Sequence, residues 1–147
     1  MNTLRMTSSY NQAIASAKRT FATEIAALND LSLRLGQDFY AATQYLLRCE
    51  GRVVVTGIGK SGHIARKIAA TFASTGTPAF FMHAAEALHG DLGMITAQDL
   101  IIAISYSGAA QELMTIVNIA QRIETPVIAI TGHPESELAQ HAHLHLN

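Results

Sequence analysis

Up to Gly51 the apolar positions recur at helical steps. Ile14, Ala17, Phe21, Ile25 and Leu28 fall three or four residues apart and form one stripe. A second run, from about Gln37 to Cys49, carries Phe39, Ala42, Tyr45 and Leu46 and closes at the polar Glu50-Gly51 turn. The texture then changes. Four short apolar runs follow, Val53–Val55, Ala79–Met82, Leu100–Ile104 and Val127–Ile130, each closed by small or polar residues. Continuous apolar runs of this length mark strands buried on both faces of a parallel sheet. Helical patterns at Ile64–Ala73, Gln111–Ile123 and Ser136–His141 separate most of them. Alternation of this kind, with right-handed crossovers, predicts an α/β fold: a three-layer αβα sandwich, doubly wound. His143–Leu146 reads as a fifth parallel strand that the chain barely finishes. With no helix after it, one face of the sheet is expected to be poorly covered, as in a chain cut short.

The bulk composition narrows the function classes. At 147 residues, 49% hydrophobic and 14% charged, the chain is expected to fold around a real core. A net charge of -1 provides no field to gather nucleic acid or an anionic membrane. Cys49 is the only cysteine, so no internal disulfide or thiolate zinc cluster is available, which fits a reducing cytosol. The first 20 residues lack an apolar signal core, and no run reaches the ~18 apolar residues of a spanning helix. The expectation is a cytoplasmic protein without nucleic-acid or membrane partners.

Ligands of open α/β sheets sit beyond the carboxyl ends of the strands, and three segments there carry unusual chemistry. The first is VVVTGIGKSGHIARKIAA, Val53–Ala70. Gly57, Gly59 and Gly62 spell the dinucleotide fingerprint, and Gly59-Lys60-Ser61 spells the end of a P-loop. The P-loop reading fails, because its first glycine would fall on Val54, inside the strand. The dinucleotide reading wants an acid closing the second strand, and that strand ends in His83. A strand, glycines and a helix start still suit a phosphate. Glycines that merely permit a tight turn would account for Gly57 and Gly62, but not for Lys60 at the mouth of the sheet.

The second segment is Ser105-Tyr106-Ser107-Gly108, with Glu112 in the helix after it. Hydroxyls and backbone N–H groups at a helix start form an anion cradle, although a lone serine there would be a plain N-cap. The third is His83 to Asp91, HAAEALHGD, whose two histidines and two acids suit proton transfer or metal ligation. The tail alternates as His141, His143 and His145, which on a strand would put all three imidazoles on one face. A metal site is conceivable there, but a solvated or partner-facing strand face accounts for it more simply.

Taken together these segments resemble a SIS (sugar isomerase) domain, and more narrowly the D-arabinose 5-phosphate isomerase family. The matching text is VVVTGIGKSGHIARKIAATFASTGTPAFF, HAAEALHGDLGMI, IAISYSGAAQEL and PVIAITGHPES, within a match running from about Gly36 through Leu146. The resemblance implies a five-stranded parallel sheet in residues 36–147, after an N-terminal helical segment over residues 1–35. It implies interconversion of D-ribulose 5-phosphate and D-arabinose 5-phosphate, a precursor of the lipopolysaccharide sugar Kdo, in a homo-oligomer that is usually a tetramer with sites between subunits. Carried over by position, Lys60 and Glu112 are catalytic. Ser61, Ser105 and Ser107 hold the sugar phosphate, while Gly76, Thr77, His83 and His89 contact substrate. So does the stretch Thr115, Ile116, Val117, Asn118, Ile119, Ala120, Gln121, Arg122, Ile123 and Glu124. No cofactor is required, and His83 falls on a zinc-contact position. Ala84 stands where the family has proline. The family sequence also continues past the position of Asn147 with a further acidic catalytic residue, a catalytic histidine and often paired CBS domains. The expectation is therefore a SIS domain that stops before that segment.

Aldose–ketose isomerisation moves a proton between C1 and C2 through an enediolate, which needs a base and positive charge near the developing oxyanion. Glu112 or a histidine is the expected base and Lys60 the expected cation. Two functions of different class follow: an arabinose 5-phosphate isomerase, or a non-catalytic phosphosugar-binding module that keeps only the anion cradle. A dinucleotide-binding domain is a distant third.

Overall fold

The computed structural model describes residues 3–147, with side chains from Ser9 onward. The chain divides into two units, Met1–Gly36 and Gln37–Asn147. The first consists of α1 (Thr3–Arg34), one unbroken helix whose described side chains are all exposed.

The second unit opens with α2 (Gln37–Arg48) and continues with β1 (Val53–Gly57), α3 (Gly59–Ser74) and β2 (Ala79–His83). Then come α4 (Ala84–Ala87), a 3-10 turn (Asp91–Met94), β3 (Leu100–Ile104) and α5 (Gln111–Arg122), followed by β4 (Val127–Ile130), α6 (Glu137–His141) and β5 (Leu144–Leu146). The sheet is entirely parallel, in the order β2-β1-β3-β4-β5. β1 and β3 are buried along their whole length, which is why their sequences are continuous apolar runs rather than alternations.

The two faces carry separate cores. Val54, Met82, Ile101 and Val127 pack with Leu113, Ile116 and Val117 of α5 and Leu138 of α6. Val53, Val55, Leu100, Ile102 and Ile128 pack with Ala65 and Ala69 of α3 and Ala42 of α2. The face expected to lie bare is covered, because α2 packs against β5. Tyr45 and Leu46 of α2 join the same cluster as Leu144 and Leu146. An element that precedes the sheet in sequence does the covering, so the edge needs no helix after β5.

The amino ends of the strands are tied together by Asp99, which is 2% exposed. Its carboxylate accepts the N–H of Arg52 at 2.7 Å and of Thr96 at 2.8 Å, and meets the Arg52 guanidinium at 3.3 Å. Burial pushes this carboxyl up, but the N–H groups of Arg52 and Thr96 and the guanidinium outweigh it and hold the group below the usual aspartate range. Gly51 is required beside it: a Cβ there would lie 2.5 Å from Asp99 Oδ1.

The histidine tail departs from the expected strand face. His141 is the last residue of α6 and His143 precedes β5, so only His145 is in the strand. Alternation begins only where the helix ends, and the three rings have separate partners. His141 Nδ1–H donates to the Glu137 carbonyl at 2.9 Å, and His143 Nδ1 accepts the Val127 N–H at 3.0 Å. His145 Nε2 bonds Thr131 Oγ1 at 2.9 Å. These contacts seat the edge strand against β4.

Candidate functional site

Strand order places the site. From β1 the chain crosses through α3 to β2 on one side, and from β3 it crosses through α5 to β4 on the other. The carboxyl ends of β1 and β3 therefore flank the point where the winding reverses, which is where open α/β sheets bind ligands. α3 belongs to one face of the sheet and α5 to the other, so two helix N-termini meet the crevice from opposite sides. Both lack a side-chain cap: the N-cap positions are Ile58 and Ala110. By contrast, α4 is capped by His83 and α6 by Ser136. The first backbone N–H groups of α3 and α5 thus stay available to an anion, with the helix dipoles adding positive potential.

Glycine makes the first turn. Gly59 has φ +53, a left-handed conformation that side chains resist. Gly57 and Gly62 are required for closeness instead: a Cβ on Gly62 would lie 2.9 Å from the Gly57 carbonyl oxygen, and one on Gly57 3.0 Å from that of Ile104. The three glycines let the first turn of α3 sit tight against the strand end. Lys60 and Ser61 are the second and third residues of that helix, with Lys60 exposed.

The second loop is held from within and from the side. Ser105 is buried, and its Oγ accepts the Gly108 N–H at 3.1 Å, so this hydroxyl is committed to the turn itself. Ser107 is exposed and its Oγ accepts only the Ala109 N–H, at 3.4 Å. It is the serine of the pair better presented to a ligand. Tyr106 takes no part in the cradle: its ring stands edge-on to His133 at 5.4 Å, and its carbonyl accepts the Gly132 N–H at 3.0 Å. Gly108 has φ +63, and a Cβ there would fall onto the Ser136 side chain. The loop after β4 thus braces the loop after β3. Glu112, half-buried, is the second residue of α5.

This geometry has known counterparts. The SIS domain model matches residues 46–147. The chain belongs to the SIS domain family. Arabinose 5-phosphate isomerase KdsD from Shigella flexneri is 51% identical over 129 residues, covering 88% of this chain and 39% of that protein. Arabinose 5-phosphate isomerase GutQ from Escherichia coli O6:H1 is 54% identical over 129 residues, covering 87% of this chain and 40% of that protein. The chain therefore spans about two fifths of the length of these curated relatives. Among solved structures, E. coli CFT073 c3406, in complex with arabinose 5-phosphate, superposes with a TM-score of 0.86 at 37% identity, covering 100% of this chain and 74% of that one.

In this SIS domain the segment expected as a loop after β2 is short helix. His83 ends β2 opposite Gly57 and caps α4, its Nδ1 accepting the Ala85 N–H at 3.3 Å. His89 is exposed, and its ring N–H donates to the Ala85 carbonyl at 3.0 Å. His83 keeps Nε2 for a ligand, but no group of three His, Cys, Asp or Glu side chains able to hold a metal forms among the described residues. A zinc site is not built by this one chain.

The SIS domain gathers Lys60, Ser61, His83, Ser105, Ser107 and Glu112 at the carboxyl end of the sheet, and leaves other expected contacts elsewhere. Gly76 and Thr77 follow α3, at the amino end of β2. The stretch from Thr115 runs down α5 away from the crevice. Ile116, Val117 and Ala120 are core residues, at most 1% exposed. The Gln121 side chain donates to the His141 carbonyl at 2.9 Å, beyond the far end of α6. At ~1.5 Å per helical residue, Glu124 lies roughly 18 Å along the axis from Glu112. Sequence reading had no view of the two uncapped helix starts, or of the brace from Gly132 and Ser136. The only visible signal for the brace was the turn-forming T-G-H-P text after β4.

Proposed function

We propose that the chain is the SIS domain of an aldose–ketose isomerase of the arabinose 5-phosphate isomerase type, interconverting D-ribulose 5-phosphate and D-arabinose 5-phosphate. The observation that carries the reading is the pair of uncapped helix starts at the switch point, with Lys60 on one and Glu112 on the other. The identity to proteins named as arabinose 5-phosphate isomerases selects the sugar. The substrate phosphate rests on the open N–H groups and Ser107, with Ser61 beside it. Anchoring that remote group positions C1 and C2 for reaction. Glu112, or a histidine, takes the C2 proton of the aldose and returns it to C1. A second proton moves between O1 and O2, while Lys60 steadies the enediolate oxygen. His83 and His89 lie toward the sugar hydroxyls. The enzyme acts in the cytoplasm, in keeping with a lone thiol and a phosphorylated substrate.

Assembly is part of the same reading. Gly76, Thr77 and the end of the 115–124 stretch lie away from Lys60 within one chain. They meet a substrate only if a neighbouring copy brings them, as in the homo-oligomer, a tetramer in the family, that the resemblance implies. That same dispersal favours a second reading, a phosphosugar-binding module without turnover. Turnover of ribulose 5-phosphate, measured beside a thermal-shift titration with pentose phosphates and NAD, separates them. Turnover supports the isomerase, a pentose-phosphate shift without turnover supports the binding module, and a shift with NAD alone overturns both.

A further inference from the structure

α1 carries an apolar seam with nothing in its own unit to cover it. Tyr10, Phe21 and Leu28 are each 64–65% exposed and Ile25 is 57% exposed. Ile14, Leu31 and, just past the helix end, Leu35 are exposed as well. Tyr10, Ile14, Ala17, Phe21, Leu28, Leu31 and Leu35 fall on alternating steps of four and three residues, with Glu24 in the remaining place. That repeat of 3.5 residues is the period of a coiled-coil seam, distinct from the 3.6 of a straight helix lying on a globular core. A seam of this period stays in contact along its length with another helix that winds around it. At roughly 60–120 Å² per aliphatic side chain and 150–250 Å² per aromatic, the exposed part amounts to roughly 500 Å² per helix. Two such helices would bury roughly 1,000 Å², about the minimum for a specific interface.

We infer that α1 is an assembly helix, pairing antiparallel with α1 of a second copy of this chain. This rests on reading the chain as a homo-oligomer. Charge sets the orientation. In a parallel pair in register, each Glu24 would face the other inside the seam, with Lys18 beside Lys18. In the antiparallel pair Tyr10 faces Leu35, Ile14 faces Leu31, Ala17 faces Leu28, and Phe21 faces Glu24. Each Glu24 then lies within a turn of Lys18 on the other helix, an attractive arrangement. A single polar residue in an otherwise apolar seam is also a device that selects one register.

Light scattering on the full chain tests the pairing. The wild type is expected at a multiple of 15.8 kDa, and the double variant F21E/L28E at half that mass or less, with the sheet unit still folded by circular dichroism. A wild type at the monomer mass would overturn the homo-oligomer reading and the helix assignment with it. An unchanged mass in the variant would overturn the helix assignment alone. Orientation is read by oxidation in a Cys49→Ser background. Mixing A17C chains with L28C chains is expected to yield a disulfide-linked dimer that neither variant forms alone. In the antiparallel pair, like positions stand roughly 16 Å apart along the axis, beyond disulfide reach. Cross-links within each variant alone would mean parallel pairing and overturn the orientation. No cross-link in any mixture would overturn the pairing.

Discussion

The two ends of the sheet treat polar groups in opposite ways. At the amino end the Asp99 carboxylate, almost fully buried, is matched by the N–H groups of Arg52 and Thr96 and by a guanidinium. At the carboxyl end the chain leaves helix N–H groups uncapped beside an exposed Lys60 and an exposed Ser107. Satisfying every buried group yields stability, whereas leaving donors open forgoes some of it and creates a place for an anion. Each end should therefore fail in its own way when altered.

The largest effects are expected at the carboxyl end, and on rate alone. Lys60→Ala should slow ribulose 5-phosphate turnover about 10²–10³-fold, and Glu112→Gln about 10²–10⁴-fold. Both should leave the melting temperature within a degree or two of wild type. A large drop in melting temperature would mean that these side chains support the fold instead.

At the amino end the order reverses. Asp99→Ala should cost about 2–3 kcal/mol of stability, the scale of losing hydrogen bonds to a charged group, with turnover per folded molecule unchanged. Chemical denaturation at a series of pH values sharpens this. A carboxyl held below its ordinary value stabilises the fold fully above that value, near ~3.9, and loses the contribution as pH falls through the folded value. The gap between wild type and Asp99→Ala should therefore close below about pH 4. A gap independent of pH would mean that the charge does not matter.

A smaller effect links the two ends. Ala110→Asp supplies α5 with the cap it lacks, so stability should rise by about 0.5–2 kcal/mol while pentose-phosphate affinity falls. Calorimetry and binding on one sample check both signs, and a gain in affinity would contradict the open-donor view. The smallest expected change is at Thr56, which is fully buried in β1 and whose hydroxyl has no hydrogen-bond partner. Thr56→Val should be neutral or stabilising by up to about 1 kcal/mol, read from the denaturation midpoint. A loss of several kcal/mol would show that the hydroxyl has a partner after all.

Much of the fold was legible in the residues because its signals are local. The apolar runs at Leu100–Ile104 and Val127–Ile130 match β3 and β4 residue for residue. Gly57, Gly59 and Gly62 announced a tight strand-to-helix turn, and Lys60 was picked out because a cation there has no packing purpose. The resemblance named further positions, such as Gly76, Thr77 and Gln121, but could not say that one chain keeps them away from Lys60. Nor did periodicity reveal that His141 ends a helix, because three alternating histidines read the same on a strand as across a helix end and a turn.

By itself, then, the sequence determined the element types, the parallel sheet and the chemistry of the turn after β1, since each depends on residues a few positions apart. Only the tertiary structure decided which helix starts stay open, that the loop after β4 braces Ser105–Gly108, and that α2 covers β5. Those outcomes depend on groups far apart in sequence. Gly108 meets Ser136, and Tyr45 joins the cluster of Leu144, only because strand order and crossover hand bring them together.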